Sequence, residues 1–306
     1  MKNSDLQALT THTNSTSLTN STALYKSPAP GLPLLVIDSP LCNAVVSPYG
    51  AQLLEFKPKD KAPLLWLSPK AVFEQGVPIR GGIPLCAPWF GPHPTDSRKP
   101  NHGFVRNNDW TVKRIEEMSN GEVKLEFLFD TQDTEAETYE YCFQLKLSMT
   151  LGDSVKLALT VVNLGGDEMP FSWAFHTYFA INDLDATRVT GLAGEEYLDQ
   201  TKALTPCTQV NDITFTNEVD RVYQGIGEEQ SIRCDREETT IASIKGSSCP
   251  TAIVWNPYSE LAAKMKDIGP NGHLQFICVE RGAVFDDSWR IKSMGSMTAE
   301  LQLVSS

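Results

Sequence analysis

Alternation of apolar and polar residues is the main pattern of the chain after Pro30. It is clearest in VKLEFLFD (123–130), CFQLKLSMT (142–150) and VKLALTVVN (155–163), where every second residue is apolar. Such alternation puts the apolar side chains on one face of an extended strand, so each stretch predicts a half-buried β-strand. The turn residues LGDS (151–154) join two of these strands as a hairpin.

Six further stretches predict strands, with turn residues between them. They are LPLLVID (32–38), NAVVSP (43–48), AQLLEFKP (51–58), TAIVWNP (251–257), LQFICVE (274–280) and MTAELQLV (297–304). One segment, SPKAVFEQG (68–76), predicts a short helix with Ser68 as its N-cap and Pro69 in its first turn. No repeat or linker divides residues 31–306. The pattern therefore predicts an all-β fold, a single large antiparallel β-sandwich of two sheets packed face to face.

The first 30 residues have a different composition from the rest. Residues 1–30 are rich in Ser and Thr, so we expect a flexible lead-in to a single domain at 31–306. They contain no apolar run typical of a signal peptide, and no segment approaches the ~20 apolar residues that span a bilayer. The chain has seven cysteines and no CxxC pair, which favours reduced thiols. We therefore expect a cytoplasmic protein with no membrane partner.

Charge limits the possible ligands. The chain has 26 basic and 38 acidic residues, a formal net charge of −12, and no patch rich in Lys and Arg. We therefore expect no nucleic-acid partner. Any phosphate must be held by arginines placed next to it, because the overall charge does not attract an anion. The motifs HxH, HExxH and GxSxG are absent, so no metal site and no serine-hydrolase site is predicted.

The glycine- and proline-rich stretch IRGGIPLCAPWFGPH (79–93) predicts a loop. Gly81 and Gly82 allow a close approach of the backbone to another group. Arg80 beside them has the planar fork that pairs with a phosphate or carboxylate. A surface arginine at a turn explains the same residues equally simply.

A second polar group follows in NHGFVRNNDW (101–110). It places Asn101, His102 and Arg106 within six residues, next to aromatic side chains. Sugar sites combine hydrogen-bonding groups with apolar walls, so this stretch is a candidate for sugar contact. A turn stabilised by Asn and His side chains is the alternative.

The stretch FSWAFHTYF (171–179) carries one of the five histidines of the chain. If it is a strand, His176 shares a face with Ala174 and Tyr178, while Trp173 lies on the other face. A ligand can then reach the imidazole, which titrates near neutrality. A buried histidine satisfied by hydrogen bonds is the alternative.

Two more stretches contain acidic candidates. In EVDRVY (218–223), Asp220 and the next residue, Arg221, point to opposite faces of a strand, so the carboxylate can meet a ligand while the arginine does not. A plain surface charge pair is the alternative reading.

In FICVERGAV (276–284), Glu280 ends an apolar run. Partial burial raises the pKa of a carboxyl group and makes it a stronger base. An edge carboxylate paired with Arg281 is the alternative.

Together these stretches resemble the aldose 1-epimerase (mutarotase) superfamily, and within it the hexose-6-phosphate branch, the glucose-6-phosphate 1-epimerases. Over residues 35–305 the resemblance is carried by RGGIPLCAPWFG, HGFVRNNDW, FHTYF, GLAGEEYLD, EVDRVY, IVWNPY and CVERGAV. It implies a galactose mutarotase-like β-sandwich (a supersandwich), with the sugar in an open cleft on one sheet.

The resemblance also implies roles for individual residues. The general acid is His176 and the general base is Glu280. The substrate-binding residues are Arg80, Asn101, His102, Arg106 and Asp220, with Arg80 and Arg106 holding the phosphate. Asn101 stands where many relatives have Gln, which is one methylene longer.

The function implied is interconversion of the α and β anomers of hexose 6-phosphates, with glucose 6-phosphate as the main substrate. Acid/base-catalysed ring opening and closure needs no cofactor, and we expect a monomer. Two alternatives stay open from the sequence. One is a mutarotase for free aldoses such as galactose or glucose. The other is a non-catalytic carbohydrate-binding or sugar-sensing protein with the same fold.

Overall fold

The computed structural model describes residues 3–133 and 139–306. Most of these residues lie in short antiparallel strands. The α-helices of the described ranges are α1 (Asn3–Thr10), α2 (Ser21–Tyr25) and α3 (Tyr258–Lys264). The 3₁₀ segments are Val105–Asn107, Thr131–Asp133, Gln200–Lys202, Gly272–Leu274 and Phe285–Asp287.

The strands, in chain order, are β1 (Thr16–Asn20), β2 (Pro33–Asp38), β3 (Cys42–Ser47), β4 (Gln52–Pro58), β5 (Leu85–Cys86), β6 (Thr111–Glu117), β7 (Val123–Asp130), β8 (Phe143–Leu151), β9 (Ser154–Asn163), β10 (Met169–Phe171), β11 (Trp173–Phe175), β12 (Tyr178–Ala180), β13 (Thr187–Thr190), β14 (Glu196–Asp199), β15 (Thr205–Thr208), β16 (Val219–Tyr223), β17 (Glu229–Cys234), β18 (Thr239–Ser247), β19 (Thr251–Asn256), β20 (Phe276–Ala283), β21 (Trp289–Ile291) and β22 (Ser296–Ser305).

Two eight-stranded antiparallel sheets form the sandwich. The first, which we call the site sheet, has the order β15-β14-β16-β19-β20-β11-β5, and β12 also pairs with β20. The second, the back sheet, has the order β13-β17-β18-β22-β9-β8-β7-β6. A four-stranded sheet β1-β2-β3-β4 and the pair β10-β21 complete the described fold. The predicted all-β antiparallel sandwich is confirmed.

The main hydrophobic core joins the two large sheets, and the alternation read from the sequence fills it. On β8, the residues Phe143, Leu145, Leu147, Met149 and Leu151 are buried, and the residues between them are more exposed. All five belong to the same apolar cluster as Val254 and Val279 of the site sheet. Burial of alternate side chains from both sheets is the main stabilising term of such a sandwich.

Part of the segment predicted as a flexible lead-in has regular structure. Strand β1 pairs with β2 from Thr16↔Ile37 to Asn20↔Pro33. Leu6 of α1 is 1% exposed and joins the main core. The structure differs from the expectation because β2 has a free edge whose N–H and C=O groups need partners, and β1 supplies them. The division of the chain at residue 30 stays a prediction.

The prediction of a helix at residues 68–76 is wrong. One turn starts there, because the Lys70 N–H donates to Ser68 Oγ (3.1 Å) and the Ala71 N–H donates to the Ser68 carbonyl (3.0 Å). The chain then leaves the helical path, and Phe73 is buried in a small apolar cluster. Burial of this ring outweighs the weak helix preference of a single turn.

Candidate active site

One row of directly opposed residues crosses four strands of the site sheet. Asp220 on β16 faces Trp255 on β19, Trp255 faces Cys278 on β20, and Cys278 faces Tyr178 on β12. Opposed residues of an antiparallel sheet share a face, so these four side chains lie on the same side. This side faces away from the main core, because none of the four belongs to that cluster. We call it the site face.

His176 and Glu280 meet on the site face. His176 lies between β11 and β12, where its backbone N–H donates to the Pro84 carbonyl (2.9 Å). Glu280 lies on β20, two residues after Cys278 and therefore on the same face. Their side chains approach to 3.4 Å between His176 Nδ1 and Glu280 Oε1, and the residues are 6% and 1% exposed. The structure thus brings the two predicted catalytic residues together.

The buried environment keeps both groups in their neutral forms. Burial lowers the pKa of His176 well below its usual value, and the nearby His102, Arg106 and Arg80 lower it further. Burial and the neighbouring Asp220 raise the pKa of Glu280 well above its usual value. The short contact therefore joins two groups for which burial favours the neutral form in the free protein.

Arg281 does not pair with Glu280, which excludes the alternative noted for this stretch. Its side chain leaves β20 on the opposite face and is 1% exposed. Its guanidinium donates to the backbone carbonyls of Cys249 (2.7 and 3.2 Å) and Gly227 (3.0 Å). Arg281 therefore stabilises the loops behind the sheet and leaves Glu280 to the site face.

Two aromatic rings fix the orientation of the imidazole. The Tyr178 ring stacks on His176 with a centroid distance of 4.7 Å and an interplanar angle of 3°. The Trp255 ring meets it edge-on, at 5.8 Å and 88°. The face predicted for His176 and Tyr178 is confirmed, although a break at residues 176–177 interrupts the predicted strand. Flat apolar rings of this kind also suit the C–H faces of a sugar.

His102 is held as a neutral hydrogen-bond donor. The Gly91 backbone N–H donates to His102 Nδ1 (3.3 Å), and the backbone N–H of His102 donates to the Gly91 carbonyl (2.7 Å). A neutral imidazole that accepts at Nδ1 carries its proton on Nε2. Burial, together with Arg106 and Arg80, lowers the pKa of His102 to about 3. Its ring centroid lies 5.9 Å from that of His176.

The loop position of His102 depends on the next residue, Gly103. Gly103 has φ +70°, and a Cβ built there would lie 1.7 Å from the Ala87 carbonyl oxygen. Only glycine allows this approach. The contact links the loop of residues 101–110 to the strand end at Cys86, so both polar stretches converge on the site.

Arg80 is positioned through its side chain by two partners. Its Nε donates to Asp267 Oδ2 (2.7 Å) and its Nη1 donates to the Tyr178 hydroxyl (2.8 Å). These bonds use two of the five N–H groups of a guanidinium, so the Nη1/Nη2 edge keeps donors for a ligand. The side chains of Arg80 and Asp267 are 20% and 27% exposed, which leaves them accessible.

The backbone around Arg80 is fixed as well. The Gln52 side-chain amide donates to the carbonyls of Ile79 (3.2 Å) and Gly81 (2.7 Å), on either side of the arginine. The close approach predicted at the two glycines is confirmed, but the neighbour is the protein's own backbone. A Cβ at Gly82 would lie 2.2 Å from the Leu53 carbonyl oxygen.

Arg106 lies near His176 and Glu280. It is 9% exposed, and its Nη2 donates to the Asn101 backbone carbonyl (3.1 Å). Its charge lowers the pKa values of His176 and Glu280. The side chain of Asn101 is exposed, and the contact that ties this residue to the site is the one from its carbonyl to Arg106.

Asp220 completes the group. Gln200 Nε2 donates to Asp220 Oδ1 (2.6 Å), while burial and neighbouring carboxylates raise the pKa of Asp220 to about 7. Arg221 points the other way, as predicted, and its guanidinium lies 4.9 Å from the Tyr197 ring centroid. The surface charge pair considered for these residues is therefore wrong. Together, the seven predicted residues surround one region of the site face, with Asn101 present through its backbone.

Five contributing residues were not identified from the sequence. Tyr178 and Trp255 lie inside the quoted motifs FHTYF and IVWNPY, so their aromatic character was a usable signal. Gln52, Gln200 and Asp267 had no signal, because each acts through a partner that is distant in sequence. The distance from Asp267 to Arg80, for example, is 187 residues along the chain.

Other features of the described ranges bear on the possible chemistry. In residues 3–133 and 139–306, no group of three or more His, Cys, Asp or Glu side chains is arranged to hold a metal ion. Within the same ranges, no helix combines the length and the apolar character needed to cross a membrane. All seven cysteines are free thiols. A paired acid and base beside aromatic walls can move protons on a sugar.

Comparison with known proteins identifies the family of the chain. The sequence profile of the family described as aldose 1-epimerase matches residues 33–303. A protein from Cenchrus ciliaris named "Putative glucose-6-phosphate 1-epimerase" is 34% identical, over 79% of this chain and 75% of its own length. A protein of the same name from Escherichia coli is 32% identical, over 81% of this chain and 82% of its own length.

A solved structure agrees as well. A crystal structure described as a "putative mutarotase" from Salmonella typhimurium superposes with a TM-score of 0.81 at 27% identity, covering 89% of this chain and 90% of that one. Its fold is that of the sandwich described above. The chain therefore belongs to the aldose 1-epimerase family and is an isomerase that interconverts the anomers of a sugar.

Proposed function

We propose that the chain interconverts the α and β anomers of hexose 6-phosphates, with glucose 6-phosphate as its main substrate. The observation that carries the proposal is the 3.4 Å contact between His176 Nδ1 and Glu280 Oε1, with Arg80 and Arg106 beside it. The names of the related proteins from Cenchrus ciliaris and Escherichia coli support the same substrate.

The reaction opens and closes a cyclic hemiacetal. Glu280 takes the proton of the C1 hydroxyl while His176 gives a proton to the ring oxygen, and the C1–O5 bond breaks to leave an aldehyde. Rotation about C1–C2 presents the other face of the aldehyde. The ring closes with the two residues in exchanged roles. Each positioned proton transfer contributes ~10²–10⁴-fold to the rate.

The substrate phosphate favours the acidic form of His176. In the free protein, burial and two nearby arginines lower the pKa of His176, while burial raises the pKa of Glu280. A phosphate monoester carries about −1.5 to −2 charges, and near Arg80 and Arg106 it offsets the charges that lower the pKa of His176. The phosphate therefore favours the imidazolium form of His176, which is the acid that ring opening requires.

Substrate binding follows from the donors that remain free. The Nη1/Nη2 edge of Arg80 offers a bidentate contact to the phosphate, and Arg106 adds a second positive charge. Local arginines are needed because the protein carries a formal net charge of −12. Asp220 supplies an acceptor and His102 a donor for the sugar hydroxyls, while Asn101 contributes by holding Arg106 through its backbone carbonyl.

The test is exchange spectroscopy by NMR, with α and β glucose 6-phosphate and catalytic amounts of protein. We expect exchange far above the uncatalysed rate. Arg80→Ala should raise KM for glucose 6-phosphate about tenfold or more, with little change for glucose, because it removes a charged bidentate contact. The matched control is Arg290→Ala, since Arg290 is exposed and pairs with Glu168 at the surface.

The two alternatives predict different results. A mutarotase for free aldoses would turn over glucose or galactose at least as well as glucose 6-phosphate, and Arg80→Ala would affect both sugars equally. A non-catalytic sugar-binding protein would bind saturably without anomer exchange. A monomeric state and a cytoplasmic location remain predictions, which gel filtration and cell fractionation can check.

A further inference from the structure

The N-terminal segment packs against the loop that carries Arg80. Residues 1–32 precede the part of the chain that matches the family profile, 33–303. Within this segment, α2 is capped by Asn20, whose side chain accepts from the Ala23 N–H (2.9 Å). The helix ends at Tyr25, and Lys26 follows in the left-handed region with φ 57°. This sharp end directs the Tyr25 ring toward the neighbouring loop.

Tyr25 and Phe73 form the direct contact. Their rings stack with centroids 4.9 Å apart and planes at 12°. The Tyr25 hydroxyl donates to Glu55 Oε1 (2.9 Å), which ties the ring to strand β4. Tyr25 therefore bridges the N-terminal segment, the four-stranded sheet and the loop.

The contact belongs to an apolar cluster that is separate from the main core. We call it the loop cluster. Its buried members are Leu32, Leu34, Val45, Tyr49, Leu54, Phe73 and Ile79, with Tyr25, Leu67 and Ala71 packed against them. Three parts of the chain meet there, namely the N-terminal segment, the outer face of the four-stranded sheet, and residues 67–79. The last of these ends directly before Arg80.

Hydrogen bonds also support the loop, among them one from the Gln75 amide to Asp109 (3.1 Å). Residues 69–78 form no strand or helix. At its ends, the Ser68 N–H donates to the Arg80 carbonyl (3.1 Å) and the Tyr49 hydroxyl donates to the Val77 carbonyl (2.9 Å). In its middle, the Phe73 ring is the buried anchor, 8% exposed. The stack on Tyr25 therefore restrains the middle of the loop through this ring.

We propose that Tyr25 is a positioning residue for the substrate phosphate: by holding Phe73 it fixes the loop cluster and so the place of Arg80. The inference rests on the proposed function, in which Arg80 binds the phosphate. It assigns to a segment outside the family match a part in substrate selection. Tyr25 itself touches no reacting atom.

The test uses the full chain with Tyr25→Ala, and Phe73→Leu as a second variant that removes the stack but keeps apolar volume. We expect KM for glucose 6-phosphate to rise about two- to tenfold, the affinity equivalent of one aromatic pair. KM for glucose and kcat for both sugars should stay unchanged. The inhibition constant of inorganic phosphate should rise in parallel, which gives a readout independent of turnover.

Three controls separate positioning from simple loss of stability. Tyr25→Phe keeps the stack and loses the bond to Glu55, so it should restore most of the phosphate affinity. Leu24→Ala changes an exposed residue of the same helix and should behave as the unchanged protein. Leu6→Ala weakens the N-terminal segment at the main core, so it should lower the melting temperature without changing KM.

Two results would overturn the inference. One is an unchanged KM for glucose 6-phosphate in both Tyr25→Ala and Phe73→Leu. The other is an equal rise of KM for both sugars. Failure of the proposed function has a different signature, because Arg80→Ala would then affect glucose and glucose 6-phosphate alike. If Arg80→Ala separates the two sugars and Tyr25→Ala does not, only the role of Tyr25 is rejected.

Discussion

The Tyr178 ring lies flat against the His176 imidazole, with centroids 4.7 Å apart and planes 3° apart. The hydroxyl of the same tyrosine accepts a hydrogen bond from Arg80 Nη1 (2.8 Å). The Tyr178 side chain thus contacts both His176, the proposed acid, and Arg80, the proposed binding residue for the phosphate. It holds them at a fixed separation, since the residue is 1% exposed and packed on all sides.

Replacement of Tyr178 should separate its two contacts. Tyr178→Phe keeps the ring on His176, so we expect kcat within about threefold of the unchanged protein. Tyr178→Leu loses the flat surface, and kcat should fall about tenfold, because small displacements of a catalytic group are costly. Initial rates of anomer exchange at saturating glucose 6-phosphate measure both. Equal kcat values for the two variants would contradict the orienting role.

Removal of either catalytic group should nearly abolish exchange. Glu280→Gln and His176→Asn should each lower kcat by ~10²–10⁴-fold, the usual contribution of a positioned acid or base. The fold should persist, because burial raises the pKa of Glu280 and so favours its neutral form, and an amide adds no buried charge. His12→Asn, at an exposed position, is the control for exchange rate and thermal unfolding. Either variant keeping most of its activity would refute its assigned role.

Gln52 should matter for stability and for phosphate affinity together. Gln52→Leu leaves the buried carbonyls of Ile79 and Gly81 without their shared donor. This should lower the free energy of unfolding by about 1–3 kcal/mol. KM for glucose 6-phosphate should rise as well, because the backbone on both sides of Arg80 is released. Urea unfolding and exchange kinetics measure the two effects.

The control for this change is Gln75→Leu, because Gln75 is exposed and its amide donates to Asp109 at the surface. It should alter neither quantity. A Gln52→Leu protein as stable as the control would mean that the two carbonyls find other donors, and that the amide does not fix Arg80.

The carboxyl group of Asp220 should make stability depend on pH. Its pKa is raised to about 7 in the folded protein, against ~3.9 for an exposed Asp. Between these values the folded state keeps a proton that the unfolded state releases, so the free energy of unfolding falls as pH rises.

From pH 5 to pH 8 we expect the unchanged protein to lose about 2–3 kcal/mol more than Asp220→Asn, which lacks this titration. Asn can still accept from Gln200, so the comparison isolates the charge. Urea unfolding at both pH values measures the difference. Parallel pH profiles would show that the carboxyl is ionised at neutral pH in the folded protein.

The fold was largely predictable because alternation determines which side of a strand is buried. Strands such as β8 carry five apolar residues at alternate positions, and nothing but a sheet satisfies that period. The errors occurred where tertiary contacts outweigh local preference. Residues 68–76 start one helical turn, but burial of Phe73 draws the chain away from it. Thr16–Asn20 is polar and looked unstructured, yet it pairs with a free strand edge.

The candidate site was predictable where a residue has a side chain suited to proton transfer. His176 and Glu280 each stood out because a titratable group appeared among apolar ones. Residues that act only through a neighbour carry no such mark. Gln52 and Asp267 are an ordinary amide and an ordinary carboxylate until folding places them against Arg80.

Glu280 and Arg281 are adjacent in β20, yet Glu280 lies on the site face and Arg281 donates to the carbonyls of Cys249 and Gly227 behind the sheet. Deleting or inserting one residue just before them would exchange the two. The guanidinium would then lie on the site face, and the carboxyl would be forced among carbonyl oxygens that repel it. The arrangement on the site face therefore depends on the alternation of side chains along β20. Insertions and deletions of any length can be accommodated in loops, but in β20 only those of an even number of residues keep Glu280 on the site face.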